Sequence, residues 1–110
     1  MEDIILKDGE LKGAVLRDYL KYSENVQCVI LNACNSFEIA KIIAEYIPYV
    51  IATQSRINDE TSIAFANGFY LAITTDKTVE VAFNYGIDKI KHKGLDGADI
   101  PILVKGIPKT

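Results

Sequence analysis

Cys28 and Cys34 are the two thiols of this 110-residue chain, and their positions set the first chemical question. Cys34 falls two residues beyond the apolar segment Val26–Asn32 and just before a predicted helix. N–H groups at a helix N-terminus stabilise a thiolate and lower its pKa, so this position favours a nucleophile. The competing reading makes Cys34 a small apolar space-filler. Cys28 lies inside the apolar segment among Val and Ile, where a core role explains it best. A cysteine nucleophile usually works with a base, most often histidine. His92 is the single histidine, placed beside Lys89, Lys91 and Lys93 where a helix should end. A last turn that complements the helix dipole explains that cluster, and His92 reads as a surface residue. Asp59, Glu60, Asp96 and Asp99 are the candidate acids in loops or caps. Asp59 reads first as a helix cap. With one histidine and no cysteine cluster, the pattern predicts no zinc site. Gly94 and Gly97 lack the spacing of a phosphate-binding loop, so no cofactor is expected.

The elements that must position these residues follow from periodicity and turn signals. Asp3–Lys7 and Glu10–Lys12 flank Asp8-Gly9, a strong signal for a β-hairpin. A short helix is expected over about Ala14–Tyr22, with Val15, Leu16, Tyr19 and Leu20 on one face. The continuous apolar run Cys28-Val29-Ile30-Leu31 suits a strand buried on both faces, as in a parallel sheet. Asn35 with Glu38 makes a plausible capping pair for a helix to about Tyr46, which Pro48 stops. Tyr49–Thr53 is a second apolar strand, completing a βαβ unit. Asn58 or Asp59 caps a further helix to about Ile73, and Thr74–Lys77 is a turn. Asp76 or Thr78 caps the next helix, whose stripe is Val79, Ala82, Phe83, Gly86, Ile87 and Ile90. Gly94 is a good stop, and a last strand, Ile102–Val104, follows Pro101. The fold class is therefore α/β: one domain with a small, mainly parallel sheet flanked by helices. Ligands bind such sheets at the carboxyl ends of the strands, the side on which Cys34 falls.

Composition narrows the function classes. Hydrophobic content of 49% and charged content of 25% are ordinary globular values. The net charge of −3 argues against nucleic acid as the main partner, since phosphate binding needs a basic patch. No apolar run approaches the roughly 20 residues of a membrane span, and the first residues do not read as a secretory leader. On one extended segment Cys28 and Cys34 would lie about 20 Å apart, far beyond disulfide reach. Two thiols that cannot pair suit a reducing, cytoplasmic setting.

The order of these segments resembles the bacterial CHAT family, a branch of the caspase-like cysteine peptidases. Three parts carry the likeness. The first is the apolar strand ending in Leu31-Asn32-Ala33-Cys34. The second is Tyr49-Val50-Ile51-Ala52 leading to Asp59 and then Phe65 and Gly68-Phe69-Tyr70. The third is Thr78-Val79-Glu80-Val81-Ala82-Phe83 opening the next helix. The hairpin segment is similar too, so the likeness spans nearly the whole chain. The resemblance implies that Cys34 matches the family's nucleophile and that Asp59 takes the place of a substrate-pocket residue. It implies a caspase-like half-domain, because the family's catalytic histidine belongs to a His-Gly segment upstream of the hairpin.

Two expectations follow. The chain is a truncated or degenerate cysteine endopeptidase domain, inactive by itself, acting on protein or peptide. Alternatively it is a non-catalytic interaction module in bacterial signalling or defence. The resemblance also implies that Val26–Asn32 loses its upstream neighbour and keeps an open edge, which predicts a homo-oligomer or a separately encoded N-terminal half as partner.

Overall fold

A computed structural model describes residues 3–8, 26–32 and 36–106. They form four strands and three helices: β1 (Asp3–Asp8), β2 (Val26–Asn32), α1 (Phe37–Ile43), β3 (Tyr49–Thr53), α2 (Asp59–Thr74), α3 (Val79–His92) and β4 (Pro101–Lys105). The expected helix over about Ala14–Tyr22 and the second hairpin strand, Glu10–Lys12, lie outside the described residues. The chain separates into two compact units, one spanning Met1–Arg56 with Ile102–Thr110 and the other Ile57–Pro101.

The first unit is built on a sheet of order β1-β2-β3-β4. β1 pairs parallel with β2 from Asp3 opposite Val26 to Asp8 opposite Asn32. β2 pairs parallel with β3 from Cys28 opposite Tyr49 to Ile30 opposite Ile51. The fourth strand makes the sheet mixed. Gly106, just past β4, donates its N–H to the carbonyl of Pro48, just before β3, at 2.6 Å. The end of β4 thus meets the start of β3, so the two strands run antiparallel. The α/β expectation holds, with a parallel three-strand portion and one antiparallel edge.

One expectation is overturned. β2 has no open edge: β1 lies on one side of it and β3 on the other. The apolar sequence of β2 is that of an interior strand, and β1 occupies the side that the resemblance assigned to a strand from outside the chain. β1 is a strand as expected, but its described partner is β2, in parallel, rather than the return strand of a hairpin.

The core follows from two-sided burial of β2 and β3. On one face Val29, Leu31, Val50 and Ala52 pack with Ala40, Ile43, Ala44 and Ile47 from α1 and the turn after it. Ile102 and Val104, two apart on β4, add their half-buried side chains to this cluster. On the opposite face Cys28, Ile30 and Ile51 are buried as well. A strand with both faces covered has no polar alternation to show, which is why β2 reads as an unbroken apolar run.

α1 ends earlier than its apolar stripe suggests. After Ile43 the bonds tighten to three-residue spacing, Glu45 to Ile42 and Tyr46 to Ile43. The chain then turns through Pro48, and Ile47 enters the core from the turn rather than from the helix.

The second unit is a helical hairpin. Asn58 caps α2, its side-chain oxygen accepting from the Thr61 N–H at 2.8 Å. Thr78 caps α3 in the same way, accepting from the Val81 N–H at 3.2 Å. Both helices end in Schellman motifs. For α3, Leu95 bonds back to Ile90 and Gly94 to Lys91, with Gly94 at φ +66°. For α2, Lys77 bonds to Ala72 and Asp76 to Ile73, with Asp76 at φ +62°. The expected α3 stripe is the face that packs, since Ala82, Gly86 and Ile90 are buried and Val79, Phe83 and Ile87 half-buried. The helices meet at two glycines. A Cβ on Gly68 would sit 2.5 Å from the Tyr85 carbonyl oxygen, and one on Gly86 would sit 2.6 Å from the Phe65 ring. Phe65 fills the contact with Phe69 at 6.0 Å and Phe83 at 5.6 Å between ring centroids.

Candidate active site

The carboxyl end of β2 carries the candidate nucleophile. Cys34 itself lies outside the described residues, as do Ala33 and Asn35. The residues on either side of this three-residue segment are described, and both are anchored. Asn32 ends the parallel ladder opposite Asp8 of β1. Ser36 is anchored to the end of β3. Its N–H donates to the Thr53 carbonyl at 3.1 Å, and its hydroxyl oxygen accepts from the Thr53 N–H at 3.1 Å. Ser36 is only 1% exposed, so both bonds are made out of water.

The clamp marks where the sheet opens. The β2–β3 ladder runs from Cys28 and Tyr49 to Ile30 and Ile51. Two residues further on, Thr53 bonds Ser36 instead of continuing along β2. The chain leaving β2 thus returns within four residues to the end of the neighbouring strand.

Ser36 also corrects the capping expectation. It is the N-cap of α1, and the helix begins at Phe37, so Asn35 is not the cap. The Ser36 hydroxyl makes no cap bond to α1, because Thr53 holds it. Glu38 does not reach back either; it pairs with Lys41 at 2.9 Å on the exposed face. With seven residues α1 is about two turns long.

Cys28 is a core residue. It is fully buried in β2, and burial pushes its thiol up from an ordinary 9.0 to about 12. A thiol held neutral in this way is neither nucleophile nor metal ligand at physiological pH.

The remaining candidates belong to the helical hairpin. Asn58 is the cap, so Asp59 is not; it is the first residue of α2 and exposed. An acid in the first turn favours the helix dipole, and its carboxylate faces solvent. His92 is exposed at the last residue of α3, beside Lys89 and Lys91. The antiparallel hairpin puts Asp59 and His92 at the same end. The loop after α3 is fastened at that end as well, where the buried Thr61 hydroxyl donates to the Asp96 carbonyl at 2.8 Å. Among the described residues no group of three or more His, Cys, Asp and Glu side chains could hold a metal ion. Among them, too, no helix is long and apolar enough to cross a membrane.

Ser36 is the residue that sequence reasoning missed. Its signal was present, since serine immediately before a helix is among the preferred caps. Its bond to Thr53, 17 residues away, leaves no local trace.

No protein-family model matches the chain, and neither does any curated protein.

Proposed function

We propose that this chain is a caspase-like domain of the CHAT type, descended from a cysteine endopeptidase, with Cys34 at the nucleophile position and a protein or peptide as its partner. One observation carries the reading: Cys34 is the middle of three residues joining the carboxyl end of a buried, parallel, interior strand to a residue fastened on the next strand. Carboxyl ends of parallel strands are where α/β sheets place their reacting groups. The order of Leu31-Asn32-Ala33-Cys34, Asp59 and Gly68-Phe69-Tyr70 along the chain supports the same reading.

The chemistry would be acyl transfer. A Cys34 thiolate attacks the scissile carbonyl carbon, the carbonyl oxygen takes the developing charge, and backbone N–H groups stabilise it. The amide C–N bond then breaks, and the leaving amine needs a proton. In the family that proton comes from a histidine ahead of the hairpin. His92 does not match that position. General-base help typically contributes about 10²–10⁴-fold, so turnover would depend on a histidine supplied at that position. Asp59, exposed at the start of α2, takes the place of a substrate-pocket residue by the same resemblance.

Iodoacetamide labelling of the native protein across pH, read by peptide mapping, tests the nucleophile assignment. Cys28 is the internal control and should stay silent until unfolding, because it is fully buried with its thiol pushed up to about 12. The expected result is labelling of Cys34 with an apparent pKa well below about 8.5. A Cys34 that labels no faster than a free thiol removes the nucleophile and leaves the interaction module as the reading.

A further inference from the structure

We propose that α2 carries a self-complementary docking face, on which a second copy of this chain pairs its own α2 antiparallel. Among the described residues Ile63 and Leu71 are the most exposed large apolar side chains, at 61% and 62%. Scattered single exposures of this kind are normal on a monomer. These two are not scattered. They lie on one helix, about two turns or roughly 12 Å apart, with the exposed Asn67 midway between them. At 3.6 residues per turn Glu60, Ile63, Asn67, Leu71 and Thr74 share one face, and Phe65, which packs on α3, lies on the opposite side.

The spacing selects the occupant. Ile63 and Leu71 stand at equal distances on either side of Asn67. A two-fold axis through Asn67 therefore sets Ile63 of each copy against Leu71 of the other. It also sets Asn67 against Asn67, where two amides can each donate and accept. The charges favour the same orientation. Asp59 and Glu60 make the first turn of α2 acidic, its last turn has no basic residue, and the exposed Lys77 follows in the closing Schellman motif. Antiparallel pairing brings the acidic turn of each copy to the end where Lys77 of the other lies. Parallel pairing would set acid on acid. The helix dipoles also oppose one another favourably only in the antiparallel form.

The test is sedimentation of the full chain over a range of concentrations, as wild type, Ile63→Lys and Leu71→Glu, with circular dichroism melts of each. Both side chains are exposed, so the melts should stay close to that of the wild type. The expected result is a reversible wild-type dimer whose Kd rises about tenfold or more in either variant alone. Mixing the two variants should restore the dimer as a heterodimer, because the introduced lysine then faces the introduced glutamate while the other Ile63–Leu71 contact is unchanged. A wild type that stays monomeric at the highest concentration overturns the proposal. So does a dimer that neither variant weakens, which places the interface elsewhere, and so does a loss that mixing fails to recover. Should either variant fail to fold, Asn67→Lys decides, since it sets two like charges on the axis. A lost dimer with the melt kept supports the pairing, and an unchanged dimer overturns it.

Discussion

The two compact units solve the same problem, fixing helix ends and burying an apolar face, by different means. In the helical hairpin each cap is local. Asn58 serves α2, Thr78 serves α3, and Asp76 and Gly94 close the far ends within a few residues. In the sheet unit the cap residue of its helix is committed to a strand 17 residues on. The cores differ in the same sense. The hairpin depends on the absence of side chains at Gly68 and Gly86, which lets the helices approach. The sheet unit depends on large aliphatics, Val29, Ile43, Ile47 and Val50, fully buried between strands and helix. The hairpin is thus held by near neighbours and one close contact, and the sheet unit by contacts across the chain. Loosening the first should show at the helix crossing and its local caps, loosening the second in the bond between Ser36 and Thr53.

The contrast can be broken most severely at the helix crossing. Replacing glycine by alanine inside a helix normally stabilises by up to about 1 kcal/mol. At Gly68 the sign should reverse, because the new Cβ meets the Tyr85 backbone and cannot be relieved by a rotamer change. Gly68→Ala is expected to lose about 3 kcal/mol, read from the urea midpoint. The pair of cap substitutions sharpens the comparison. Ser36→Ala removes the buried acceptor of the Thr53 N–H, at a cost of about 2 kcal/mol. Asn58→Ala removes a local cap on an exposed residue, at about 1 kcal/mol. Equal losses would show that the Ser36 bond is no more than another cap.

Cys28 lends the sheet unit a pH dependence. Its folded-state pKa is raised to about 12 from an ordinary 9.0, because burial disfavours the thiolate. The unfolded chain therefore releases this proton first. The stability linked to Cys28 is fully present below about pH 9 and is lost as pH rises toward 12, at up to about 1.4 kcal/mol per pH unit. Cys28→Ala should flatten that alkaline slope in urea melts at pH 9 to 11, whatever it does to stability at pH 7. An unchanged slope would mean that the thiol reaches water in the folded protein.

Most of the elements are legible in the amino-acid sequence, and the reasons are local. β2 is readable over Val26–Asn32 because two-sided burial requires an apolar run. α3 is readable down to its stripe because 3.6-residue periodicity survives wherever one face packs. Asp8-Gly9, by contrast, suggests a hairpin, while the described partner of β1 is β2. A turn signal reports what the chain does over four residues and says nothing of which strand lies alongside.

The amino-acid sequence by itself determined the α/β class, the burial of both faces of β2, a cap at Asn58 or Asp59 and another at Asp76 or Thr78, and the position of Cys34 two residues beyond that strand. Each of these depends on side-chain type and spacing within one or two turns or strands. The tertiary structure decided the rest: that Asn58 and Thr78 are the caps, that β1 closes the edge of β2, that β4 joins antiparallel, that Gly68 and Gly86 form the helix crossing, and that Ser36 is bonded to Thr53. Those are pairings between distant residues, and many partners satisfy the same local pattern. Only packing the whole chain, with its buried polar groups satisfied, selects among them.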